Sequence, residues 1–104
     1  MDYNKPVFTI RRMAQFDGWF DGLRDGLIQR RLVARLRKAS LGNLGDVKPV
    51  GGGVFERREF YGPGWPMYYV QCGTVLIVML GGSDKATQQR DIVAARALAE
   101  TLED

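Results

Sequence analysis

The groups in this chain best suited to handling an anion are arginines and lysines set in strands and loops. Arg57 and Arg58 are adjacent in Val54-Phe55-Glu56-Arg57-Arg58, a strand-like run, so their side chains point to opposite faces. Pairing Tyr61 with Trp65 across the turn sets Arg58 opposite Tyr68 and puts Glu56, Arg58, Pro66 and Tyr68 on one face. That register is an assumption, because a slip of one residue reverses every side chain. An arginine beside a tyrosine on an open sheet face can hold a phosphate and stack on a base. The same two residues can equally form a cross-strand cation–π pair with no ligand. Lys85, in Gly81-Gly82-Ser83-Asp84-Lys85, stands at or just before a helix N-terminus, where free backbone N–H groups and a mobile cation can meet an anion. This is not a Walker loop, since both the glycine spacing and the Lys-Ser/Thr pair are missing. The plain alternative is a loop in which Ser83 or Asp84 caps the helix. Lys48, before Pro49-Val50-Gly51-Gly52-Gly53, can reach over the sheet or be an ordinary exposed loop lysine.

Composition narrows the chemistry. The 104 residues contain no histidine and one cysteine, Cys72. The usual general base, the usual metal ligand and every Ser-His or Cys-His nucleophile pair are therefore missing, and neither a metal nor a cofactor is expected. Length and a hydrophobic share of 45% describe one globular domain spanning 1–104. The start, Met1-Asp2-Tyr3-Asn4-Lys5-Pro6, lacks a secretory profile, and the apolar run Val75 to Leu80 is too short to cross a bilayer, so a cytoplasmic protein is expected. Net charge is only +3, yet Arg30, Arg31, Arg35, Arg37 and Lys38 fall between Gly26 and Gly45 with no acidic residue among them. Such a cluster suits RNA or an acidic protein partner, or it is a solvated helix face.

The elements that must position these groups follow from periodicity. Val7 to Ile10 reads as an edge strand. Phe16, Trp19, Phe20 and Leu23 describe a short amphipathic helix, and Asp25 is placed to cap a second helix over Gly26 to Ser40. In that helix Ile28, Leu32, Leu36 and Ala39 form a buried stripe beside the basic one. Val54 to Tyr61, Trp65 to Gln71 and Thr74 to Leu80 read as antiparallel strands, the last expected to be central. Ile92, Ala95, Ala99 and Leu102 mark a final helix entered through Asp84 to Thr87. The expected fold class is α+β: a short N-terminal strand, two helices, a curved antiparallel sheet and a C-terminal helix, with the helices on one face. Pro66 is out of place in this scheme, inside a predicted strand where proline is poorly tolerated.

Taken together the motifs resemble the RelE/ParE toxin superfamily of bacterial type II toxin–antitoxin modules, and within it the HigB-like addiction module killer proteins. The matching residues are Phe16-Asp17-Gly18-Trp19-Phe20, Gly42 to Gly51, Gly53-Val54 with Glu56 and Arg58, Gly62-Pro63-Gly64-Trp65, Tyr68-Tyr69, Gly82, Asp84 to Gln88 and Asp91-Ile92. The resemblance implies an α+β toxin with a basic active surface that cuts mRNA on the ribosome without a metal. In such an enzyme the ribose 2′-hydroxyl attacks the adjacent phosphate. By the same resemblance Arg58 and Lys85 would stabilise the phosphate, with Lys48 as a further candidate. RNA contacts are expected from Arg57, Tyr68, Arg35 and Lys38. The implied partners are a helix-turn-helix antitoxin, the ribosome and mRNA, with no membrane. The chain departs from the family it resembles at Pro66, where members usually carry arginine after the aromatic of the Gly-Pro-Gly-aromatic motif, and an attenuated toxin is expected. Two other readings stay open: a ParE-like DNA gyrase inhibitor without nuclease activity, and an inactive remnant that binds antitoxin only.

Overall fold

The computed structural model describes residues 8–58 and 64–102. Its order is β1 (Thr9–Arg12), α1 (Ala14–Asp21), α2 (Gly26–Ser40), β2 (Val47–Gly51), β3 (Val54–Arg57), β4 (Met67–Cys72), β5 (Leu76–Gly82), a 3-10 turn (Lys85–Thr87) and α3 (Gln88–Glu100). This is the expected α+β fold. The strands form one sheet in the order β1-β5-β4-β3-β2. β1 lies parallel to β5, and the other pairings are antiparallel.

Local chemistry accounts for the helices. The Asp25 carboxylate accepts from the Leu27 N–H at 2.9 Å and starts α2, while Arg37 and Lys38 in its last turn complement the helix dipole. Ile28, Leu32, Leu36 and Ala39 are its buried residues, as the spacing predicts. In α1, Phe16 and Phe20 are buried and their rings stack at 6.1 Å. Among the described residues no helix is long and apolar enough to cross a membrane.

The expectation that the helices share one face is overturned. Phe16, Phe20, Ile28, Leu32 and Leu36 pack with Met67, Tyr69, Ile77 and Met79 on one side of the sheet. On the other side Val54, Tyr68, Val70, Val78 and Leu80 pack with Ala95, Ile92 and Leu98 of α3. Strand alternation supplies both apolar faces, which explains why Ile77 to Leu80 are all buried. The central strand is β4; β5 lies between it and β1.

Three local expectations also change. Lys48 and Pro49 belong to a strand, β2, at the sheet edge, where a proline's missing N–H does no harm. β4 starts at Met67, so Pro66 precedes it, and the Pro66 carbonyl accepts from the Ser83 N–H at 3.0 Å. The β3–β4 register pairs Glu56 with Tyr68 and Arg57 with Met67, which sets Arg58 level with Pro66 rather than Tyr68. A shift of two residues preserves the faces, so Glu56 and Tyr68 still point the same way. The assumed Tyr61–Trp65 pairing involves Tyr61, which lies outside the described residues, as do Gly62 and Pro63.

Candidate functional site

On the α3 face, one transverse row runs Lys48–Glu56–Tyr68 across β2, β3 and β4. Arg58, two residues beyond Glu56, projects to the same side. Its Nε lies 3.6 Å from Glu56 Oε2, an ion pair at longer than hydrogen-bond distance. The other Glu56 oxygen accepts from Gln88 Nε2 at 2.9 Å. The Glu56 side chain is only 5% exposed and that of Arg58 is 38% exposed. A fixed, buried carboxylate thus holds a guanidinium that still meets solvent.

Behind this corner Tyr68 Oη and Ser83 Oγ share a hydrogen bond of 2.8 Å, both residues being buried. Burial pushes the Tyr68 phenol up to about 12; the Ser83 bond opposes this, and the negative charges of Glu56 and Asp91 add to it. An unfolded tyrosine ionises near 10. Across that window the unfolded chain has released a proton that the folded chain keeps, so stability falls with rising pH. The two-unit gap is worth about 3 kcal/mol in all. Tyr68→Phe is expected to lose about 1–3 kcal/mol at neutral pH, because Ser83 loses its buried partner. That deficit should shrink between pH 10 and 12. Urea unfolding of both forms across this range measures it, and a deficit that does not change with pH would contradict the assignment to Tyr68.

Asp84 organises the entry to α3. Its Oδ1 accepts from the Ala86 and Thr87 N–H groups at 2.9 and 3.2 Å, and Thr87 Oγ1 donates to Asp91 Oδ2 at 2.6 Å. Asp84 is therefore the cap, while Ser83 faces inward to Tyr68. Lys85 opens the 3-10 turn that leads to Gln88; its side chain lies outside the described part of the structure.

The expected site residues divide between the two faces. Arg58 and Lys48 share the α3 face, and the backbone of Lys85 enters from the same side through the turn that delivers Gln88 to Glu56. Arg57 does not join them. It is 4% exposed on the α2 side and donates from Nη1 to the Arg35 carbonyl at 3.0 Å, so it ties β3 to α2 and offers no surface to RNA. Gly45 makes room for it: with φ +71°, a Cβ there would lie 2.6 Å from Arg57 Nη2. Tyr68, fully buried, has no ring face open to a base. Arg35 and Lys38 are on α2, across the sheet from Arg58. Sequence reading missed the part played by Gln88, which no local pattern signals. The pairing of Glu56 with Arg58 was within reach, because period-two spacing puts them on one face.

A groove of about 690 Å³ lies beside the corner, between Gln15 and Trp19 of α1 and residues of α3 with its flanking Thr87 and Thr101, floored by Leu80 to Ser83. Ser83, whose hydroxyl meets Tyr68, lines it.

No family model matches the chain. An uncharacterized protein of Haemophilus influenzae is 37% identical over 96 residues, covering 92% of this chain and 97% of that protein. The chain belongs to that protein's family. Among solved structures, the toxin–antitoxin complex RelBE2 of Mycobacterium tuberculosis contains a chain of similar fold. The TM-score is 0.64 at 20% identity, over 83% of this chain and 99% of that one. The fold is therefore that of a RelE-like toxin. Within it, the Arg58–Glu56–Gln88 corner lies where the C-terminal end of β3 meets the start of α3.

Proposed function

We propose that this chain is the toxin of a type II toxin–antitoxin module, HigB-like in kind, acting as a metal-independent mRNA endonuclease on the ribosome and neutralised by a helix-turn-helix antitoxin. One observation carries the reading: a solvent-facing guanidinium, Arg58, braced by the buried Glu56 in a RelE-like fold, with Lys48 opposite Glu56 in the register. The antitoxin partner is supported by the similar fold found in RelBE2, itself a toxin–antitoxin complex.

The chemistry asks little of the protein beyond charge and orientation. When the 2′-oxygen attacks the neighbouring phosphorus, the leaving 5′-oxygen departs through a phosphorane bearing extra negative charge, and a cyclic phosphate remains. A preorganised guanidinium stabilises that charge more than the ground-state phosphodiester, which is the condition for acceleration. Glu56, held by Gln88, orients Arg58. Lys48, opposite Glu56, supplies further positive charge on the same face, and Lys85 is the other cation that the family resemblance implies.

Mapping mRNA 5′ ends after induction tests the reading: new cuts within translated codons are expected. Intact mRNA with gyrase-dependent DNA damage would establish the gyrase inhibitor in its place, and intact mRNA without damage the remnant. Pro66 bears on potency. It is buried and level with Arg58, so an arginine there would add a further cation to this face. Pro66→Arg is expected to deepen growth arrest, with cleavage raised by about tenfold. Equal arrest by the two forms would remove the idea of attenuation.

A further inference from the structure

The α3 face carries a cation that the proposed cleavage does not use. Arg96, exposed on α3, lies across the tip of the β2–β3 hairpin. A Cβ added at Gly51 would lie 3.2 Å from its Cζ, and one at Gly52 3.6 Å from its Nε. Both glycines have positive φ, +95° and +65°, so the turn needs them and they leave room for the side chain. Helix and hairpin run in step up to this point. Gln88 meets Glu56 at 2.9 Å, Ile92 joins Val50 and Val54 in the core on that side, and Arg96 reaches the turn. From Gln88 to Arg96 the helix rises about 12 Å, and from Glu56 back to Gly52 the strand covers about 13 Å. Lys48, exposed and opposite Glu56, stands between Arg58 and Arg96 along this seam.

We infer that Arg58, Lys48 and Arg96 form one path for single-stranded RNA along the seam between α3 and the β2–β3 hairpin. In it Arg96 holds a backbone phosphate remote from the bond that is cut. RNA as its ligand rests on the endonuclease reading. A surface that follows a single strand needs cations in a row with few carboxylates beside them. Glu56 is the one acidic residue from Val47 to Arg58, and it is buried against Gln88 and Arg58. None occurs from Ile92 to Ala99. Among the described residues neither Lys48 nor Arg96 has an ion pair, so both cations are available to phosphate. The other flank of α3 carries Asp84 and Asp91, and Arg90 there lies 3.5 Å from Asp91 Oδ1. The RNA therefore leaves the Arg58 corner toward the hairpin. From the level of Arg58 to Gly51 the row is about 17 Å long. An arginine whose stem merely covers a glycine turn is the competing account of Arg96, and it depends on packing rather than charge.

The test measures binding of the intact chain to a labelled single-stranded RNA of mixed sequence over a range of salt concentrations. Arg96→Gln should lower the slope of log K against log salt by about 0.7, the share of one phosphate on a single strand. It should also weaken binding alike for unrelated sequences. Arg96→Lys should restore the slope, because a point charge suffices for a phosphate. Arg90→Gln removes the same charge from the other flank of α3 and should leave the slope unchanged. Thermal unfolding verifies that each variant is folded. Equal slopes for the wild type and Arg96→Gln, an equal drop in Arg90→Gln, a loss that lysine does not restore, or no RNA binding by the wild type at low salt would each overturn the inference. Binding is read without cutting, so the two readings fail separately. Cut mRNA in induced cells with equal slopes keeps the endonuclease and removes the path. The expected slopes with intact mRNA remove the endonuclease alone.

Discussion

Arg58→Ala is expected to reduce mRNA cleavage on induction by about 10²- to 10³-fold, the usual effect of removing one preorganised charge donor from a developing oxyanion. The structure makes this loss separable from loss of fold. Arg58 lies just past the end of β3, with its backbone N–H bonded to the Asp46 carbonyl at 2.9 Å, a contact that the substitution keeps. What the side chain leaves behind is Glu56, still bonded to Gln88 at 2.9 Å but without its cation. That loss should destabilise by about 1 kcal/mol, given the exposure of the guanidinium. Arg58→Lys should retain part of the activity, because an ammonium keeps the charge but not the planar fork. Quantitative 5′-end mapping read beside thermal unfolding distinguishes the effects. Undiminished cutting by a folded Arg58→Ala protein would remove Arg58 from the chemistry.

The second expected effect is on stability. A Cβ added at Gly82 would lie 2.4 Å from Cη2 and Cζ3 of the Trp19 indole and 2.5 Å from Cδ2. The indole is a rigid plate already packed against Phe16, with ring centroids 5.6 Å apart, so it has little freedom to retreat. Gly82→Ala should therefore cost about 3 kcal/mol as overpacking. In a domain of this size that lowers Tm by roughly 12–24 °C. Trp19→Leu in the same chain frees the space, so the double variant should be much less unstable than the sum of the two single changes. Strict additivity in a thermal-unfolding cycle would show that the contact is not the cause.

These effects also show what a sequence can disclose. The limits of α2, its Asp25 cap and its buried stripe were all legible, because they depend on residues within four positions of one another. The side on which α3 packs was not: amphipathicity says that a helix has an apolar face, not which face of a two-sided sheet receives it. The strand register was read two residues out, and the faces survived only because that error is even. Arg57 and Tyr68 misled for a related reason. A charged or phenolic side chain in a strand reads as surface unless its partner is known, and here the partners are the carbonyl of Arg35, 22 residues earlier in the chain, and the hydroxyl of Ser83, 15 residues later. Arg58 and Lys48 stood out from their strand and loop settings, and the family resemblance gave them a role, whereas Gln88 emerged only once α3 was seen to start beside β3.

The parallel pairing of β1 with β5 bears on how the molecule matures. Thr9 meets Leu76, so β1 is matched with a strand made 67 residues later. Closing so long a loop is entropically slow, whereas the antiparallel run from β2 to β5 joins neighbours in sequence. Lys48, Glu56, Arg58 and Gln88 all lie in or beyond that run. The candidate corner is therefore expected to assemble before β1 takes its place at the sheet edge, with β1 closing late.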